Sequence, residues 1–92
     1  MRTIWKYQIE EKDKFTISMP IGAEIIRVQT KIGIPFIWAL VDTEKEFEDR
    51  EFEIYGTGYL IKDSNNKYIG SFYLREDFIF HLFEKEKSNI KK

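Results

Sequence analysis

One histidine, one glycine–threonine–glycine segment and several tyrosines, tryptophans and arginines are the groups in this chain suited to chemistry. His81 lies inside Phe78-Ile79-Phe80-His81-Leu82-Phe83. An imidazole there could contact a ligand or carry a proton. The alternative is a strand histidine hydrogen-bonded to a neighbour. No serine or cysteine nucleophile can be paired with it from spacing. One histidine among scattered carboxylates is also a poor metal site.

Gly56-Thr57-Gly58 can offer backbone N–H groups to phosphate. No helix follows it and no third glycine completes a dinucleotide fingerprint, so a bulge or turn competes with that reading. Arg50, Tyr55 and Tyr59 flank the segment, which brings a cation and two rings near exposed backbone. Trp5 is a further ring able to stack on a base, an interaction of about 1–3 kcal/mol in single-strand binders. The competing reading puts Trp5 and Trp38 in the core. The expected ligand-binding set is Trp5, Arg50, Tyr55, Thr57 and Tyr59, with His81 as an outlying member. No catalytic residue, metal ligand or cofactor is expected. The acidic run from Asp42 to Glu53 is expected to be a solvated loop and strand face, because acid–base work would need a pocket around it.

The elements that must position these groups show a period of two. Trp5, Tyr7 and Ile9 share one face of a first strand. Phe15, Ile17 and Met19 share a face of a second, which Pro20 ends, and Pro20-Ile21-Gly22 turns. Glu24 to Thr30 alternates with Ile26 and Val28 on one side, and Lys31-Ile32-Gly33 reads as a hairpin tip. Ile34 to Val41 is apolar on both faces, which predicts a central strand covered on both sides. Asp42 to Asp49 is a connection with room for a short helical turn. Arg50 to Tyr55 puts Phe52 and Ile54 inward, with Glu51 and Glu53 in solvent; after the glycine segment Tyr59-Leu60-Ile61 resumes the strand. Asp63-Ser64-Asn65-Asn66 and Arg75-Glu76-Asp77 are turns. Between them Lys67 to Leu74 carries Tyr68, Gly70, Phe72 and Leu74 on one face. Phe78 to Phe83 is the last strand, with His81 on the side of Ile79 and Phe83.

About seven short strands predict a mostly-β fold, a small antiparallel sandwich or barrel. An α+β alternative would make Thr43 to Asp49 a helix. One domain is expected over residues 1–84, followed by a charged tail over 85–92. The chain has 92 residues and eight Phe, five Tyr and two Trp, so a modest core can be built from few large rings. With 15 Lys+Arg against 16 Asp+Glu, neither general DNA or RNA binding nor DNA mimicry is expected. There is no cysteine, which excludes disulfides and thiolate chemistry and suits a reducing cytosol. Met1-Arg2-Thr3-Ile4-Trp5-Lys6 has no apolar h-region, so no signal peptide is expected. No apolar run is long enough to span a bilayer.

Thr3-Ile4-Trp5-Lys6-Tyr7, Met19-Pro20 before Gly22-Ala23, Trp38-Ala39-Leu40-Val41-Asp42, Phe52 to Gly58, Tyr68-Ile69-Gly70-Ser71-Phe72 and Phe80-His81-Leu82-Phe83-Glu84 occur in that order. The series resembles a widespread group of short, uncharacterised bacteriophage and prophage proteins, over about residues 1 to 84. Members often carry a cysteine shortly before the second tryptophan, where this chain has Phe36-Ile37-Trp38. The group has no settled catalytic set to carry over. The resemblance implies a phage accessory protein in the bacterial host cytoplasm that counters host defence. With the ring content, this leads to the expectation of a non-enzymatic homo-oligomer that sequesters a small nucleotide-type signal at a subunit interface. The alternatives are an inhibitor that docks on a host defence protein and a small nucleotide hydrolase using His81 and a carboxylate.

Overall fold

The computed structural model describes residues 1–62, 66–74 and 78–86. Seven strands are present: β1 (Arg2–Gln8), β2 (Lys14–Pro20), β3 (Glu24–Lys31), β4 (Ile34–Asp42), β5 (Phe47–Gly56), β6 (Asn66–Tyr73) and β7 (Ile79–Lys85). They form two antiparallel sheets, ordered β1-β4-β3 and β2-β5-β7-β6. The fold is the expected small β-sandwich, and the described residues contain no helix. The expected turns at 63–65 and 75–77 and the tail beyond residue 86 lie outside the described residues.

The core follows from alternation. Ile37, Ala39 and Val41 of β4 face Phe15 and Met19 of β2, Phe52 of β5, Phe72 of β6 and Leu82 of β7, all buried. Phe15 and Phe52 are directly paired across β2 and β5 and stack at 5.4 Å between centroids. Along one side of the sandwich the Thr30 hydroxyl of β3 donates to the Tyr73 carbonyl of β6 and ties the sheets together. The hairpin between β3 and β4 turns through Ile32 and Gly33, both left-handed at φ 51° and 76°. This pair of positive φ values matches the tight hairpin turn whose twist suits the flanking strands.

Four expectations about side-chain direction are corrected. The β3–β4 register shifts between Ile25 and Arg27, so Ile25 and Val28 pack on the core while Ile26 is exposed. A second shift between Tyr68 and Gly70 moves Tyr68 to the outer face, away from Phe72. Strand β4 is central, but only its inner face is covered; Phe36, Trp38 and Leu40 are half-buried on the outside. Glu53 is buried, not solvated.

The acidic connection is also shorter than expected. It is confined to residues 43–46, with β5 starting at Phe47, and the helical alternative is not adopted. After Gly56 the strand does not resume at Tyr59. The Tyr59 N–H instead donates to the Gly56 carbonyl at 3.0 Å and closes a turn.

Candidate functional site

The outer face of the β2-β5-β7-β6 sheet, with the turn that follows β5, gathers four of the expected site residues: Tyr55, Thr57, Tyr59 and His81. Register pairs Tyr55 of β5 with His81 of β7, and His81 with Ser71 of β6. In the next row Glu53 pairs with Phe83, and Phe83 with Tyr68. Tyr55 and Tyr68 each meet Phe83 edge-on, at 5.6 and 5.2 Å between centroids.

His81 is held from both ends. Thr57 Oγ1 lies 2.9 Å from Nε2, and the Tyr68 hydroxyl lies 3.1 Å from Nδ1. Thr57 Oγ1 also donates to the Ile79 carbonyl at 3.2 Å. A hydroxyl has one proton, so with that proton on the Ile79 carbonyl Thr57 Oγ1 accepts from Nε2–H, and the Tyr68 hydroxyl is the partner of Nδ1. Both ring nitrogens thus have a hydroxyl partner, and the chain of hydrogen bonds ends on a backbone carbonyl.

Below this row Glu53 accepts from the Tyr55 hydroxyl and from Asn66 Nδ2, both at 2.7 Å, and Lys14 Nζ lies 4.0 Å away. These groups compensate the carboxylate's removal from water. They also fix the Tyr55 ring as one wall of a groove of about 510 Å³. Tyr59 and Leu60 form another wall, and Lys14, Lys62 and Lys85 stand around it. Tyr59 borders a second groove of about 360 Å³ with Thr57, Phe78 and Ile79. Its ring covers Gly56 so closely that a Cβ there would come within 3.0 Å of it. That close approach explains the glycine better than phosphate binding does.

Trp5 and Arg50 are not part of this cluster. Trp5 packs against the core and meets the exposed Phe47, at the start of β5, at 6.2 Å between centroids. Arg50 faces the interior, where its Nε and Nη2 engage both oxygens of Glu84 and its Nη1 donates to the Ala23 carbonyl at 2.9 Å. Its hydrogen bond to Glu84 raises its pKa despite desolvation. An arginine so engaged is a structural ion pair, and its expected pairing with a ligand phosphate is withdrawn. Nearby, burial raises the pKa of Tyr7 and the Arg50 charge partly opposes that rise.

Tyr68, Phe83 and the three lysines were missed from sequence. Tyr68 is hidden by the β6 bulge, and lysines at turns and strand ends read as ordinary solvated charge. Among the described residues no group of three or more histidines, aspartates or glutamates is arranged to hold a metal. None of these residues forms a helix long and apolar enough to cross a membrane.

A family model described as a domain of unknown function, DUF7352, matches residues 1–92. No curated protein and no solved structure matches the chain.

Proposed function

Taking as premise that the chain belongs to this family of unknown function, we propose that it is a non-enzymatic binding module for a small nucleotide-type ligand. The observation that carries this reading is the groove with Tyr55 and Tyr59 as walls and Lys14, Lys62 and Lys85 around it. Tyrosine faces accept a base by stacking, and lysines attract phosphate as compact point charges. His81 supports the ring wall through Tyr68 and Thr57 and takes no chemical role. The hydrolase reading is weakened because both ring nitrogens meet hydroxyls and neither meets a carboxylate.

A subunit interface completes the pocket. Tyr59, Leu60, Ile61, Phe78 and Ile79 are all exposed in the single chain, and a large apolar patch is an ordinary mark of an interaction surface. The resemblance to short phage proteins supports a role in the host cytoplasm, holding a signalling nucleotide away from a defence receptor. The same patch also suits docking on a host protein, which is the second reading.

Native mass spectrometry of protein purified gently from a bacterium with nucleotide-based defences tests the proposal. A stoichiometric nucleotide released on denaturation from an oligomer is the expected result. An empty protein that reloads with none of a panel of linear and cyclic nucleotides would overturn it and leave docking on a host protein.

A further inference from the structure

The opposite surface, the outer face of the β1-β4-β3 sheet, has a different character. Cross-strand register lines up Lys6, Trp38 and Arg27 in one row over the three strands, and Gln8, Phe36 and Gln29 in the next. Phe36 and Trp38 lie two apart on β4, with ring centroids 6.0 Å apart and planes tilted by 58°. Lys6 Nζ sits 4.7 Å from the Phe36 centroid. Arg27 Nε donates to Gln29 Oε1, a neutral oxygen, at 2.8 Å.

The charge on this face is organised. Its strands present Arg2, Lys6, Arg27 and Lys31, and the two carboxylates, Glu24 and Asp42, both lie toward the end away from Phe36. The overall charge of −1 averages over surfaces that differ and does not describe this face.

Basic stems lying over rings are also an ordinary way to cover apolar surface on a solvated sheet. Two features exceed that arrangement. The cations flank the rings with no carboxylate in either row, and side-chain amides able to hydrogen-bond base edges stand on both sides of Phe36. Adjacent rings with cations alongside are the combination that holds an unpaired strand, with bases on the rings and phosphates on the charges.

We propose that this face binds single-stranded nucleic acid, with bases stacked on Phe36 and Trp38 and the backbone paired to Lys6 and Arg27. It is a second site, independent of the groove on the other sheet.

The test is fluorescence anisotropy with labelled oligothymidylate and oligouridylate of about ten nucleotides, in low salt, with protein up to about 0.1 mM. Saturable binding that weakens as salt rises is expected, and the tighter of the two probes assigns DNA or RNA. Trp38→Ala is expected to weaken it about tenfold. Because Trp38 is half-buried, the surface double variant Lys6→Glu/Arg27→Glu is run alongside and is expected to weaken binding at least as much. Lys12→Glu/Lys45→Glu, at exposed loop lysines that belong to neither site, is expected to leave it unchanged. Three results would overturn the proposal: no binding by folded wild-type protein, binding that Lys6→Glu/Arg27→Glu weakens no more than Lys12→Glu/Lys45→Glu does, or a dimer that Lys6→Glu/Arg27→Glu dissociates with no oligonucleotide bound.

Discussion

Arg50 of β5 and Glu84 of β7 meet inside the sandwich, two guanidinium nitrogens on the two carboxylate oxygens. Both side chains are mostly withdrawn from water, at 13% and 15% exposure. Glu48 stands 3.9 Å from the same guanidinium. Removing the arginine would therefore take the compensating charge from two shielded carboxylates. Arg50→Ala is expected to lower stability by about 3–5 kcal/mol, read from the urea midpoint. Arg50→Met combined with Glu84→Leu should recover much of that loss. A fully stable Arg50→Ala protein would contradict this role.

Tyr7 presents the opposite situation. Its hydroxyl is buried with no hydrogen-bond partner among the described residues. Tyr7→Phe is expected to be neutral or to stabilise by up to about 1 kcal/mol, since an unsatisfied buried hydroxyl contributes only its desolvation cost. Burial raises the folded-state pKa above the ordinary 10.0. The neutral ring's contribution is thus complete below that value and is lost as pH rises toward the folded pKa, where the unfolded chain already ionises. The phenylalanine variant should lose less stability than wild type in denaturant titrations on either side of pH 10.

At the hairpin tip Ile32 is 98% exposed and holds φ at 51°. A β-branched residue in left-handed backbone is strained by roughly 1–2 kcal/mol, and at that exposure packing returns little. Ile32→Asn is expected to raise the melting temperature by a few degrees. An unchanged or lower value would show that the isoleucine has a stabilising contact that its exposure does not reveal.

Tyr59 separates fold from binding. Its side chain is 67% exposed, so Tyr59→Ala should change stability by less than about 0.5 kcal/mol while reducing nucleotide retention about tenfold. Gly56→Ala should act on the same ring, because the added methyl would push it aside. Wild-type retention in both variants would remove the ring from the proposed site.

Alternation made the fold legible, because β1, β2, β4 and β7 keep strict two-residue parity from end to end. The same parity set Tyr55 and His81 on faces that β5–β7 pairing brought together. It failed at Ile26 and Ile69, where single-residue bulges flip every later side chain and leave no mark in composition. Nor could it show that Glu53 is buried on the outer face, or that Arg50, on the inner side with Phe52 and Ile54, is held there by an ion pair. Their partners, Asn66 and Glu84, lie 13 and 34 residues away, and charged residues read as solvated until such a partner is in view. Trp38 erred in the other direction: an all-apolar strand implies cover on both faces, whereas Lys6 and Arg27 flank it on the outer one.

Strand order also bears on how the chain comes into being. Synthesis releases β1 to β4 first, and three of these already make one complete sheet. Its inner surface, Ile37, Ala39 and Val41, then has only β2 to lie against until β5, β6 and β7 follow. During that interval β2 has no strand to pair with and the nascent sheet shows water the side meant for the core. The second half of the chain thus acts as the cover for the first, and premature termination before β5 yields a sticky half-sandwich suited to aggregation or to capture by a chaperone.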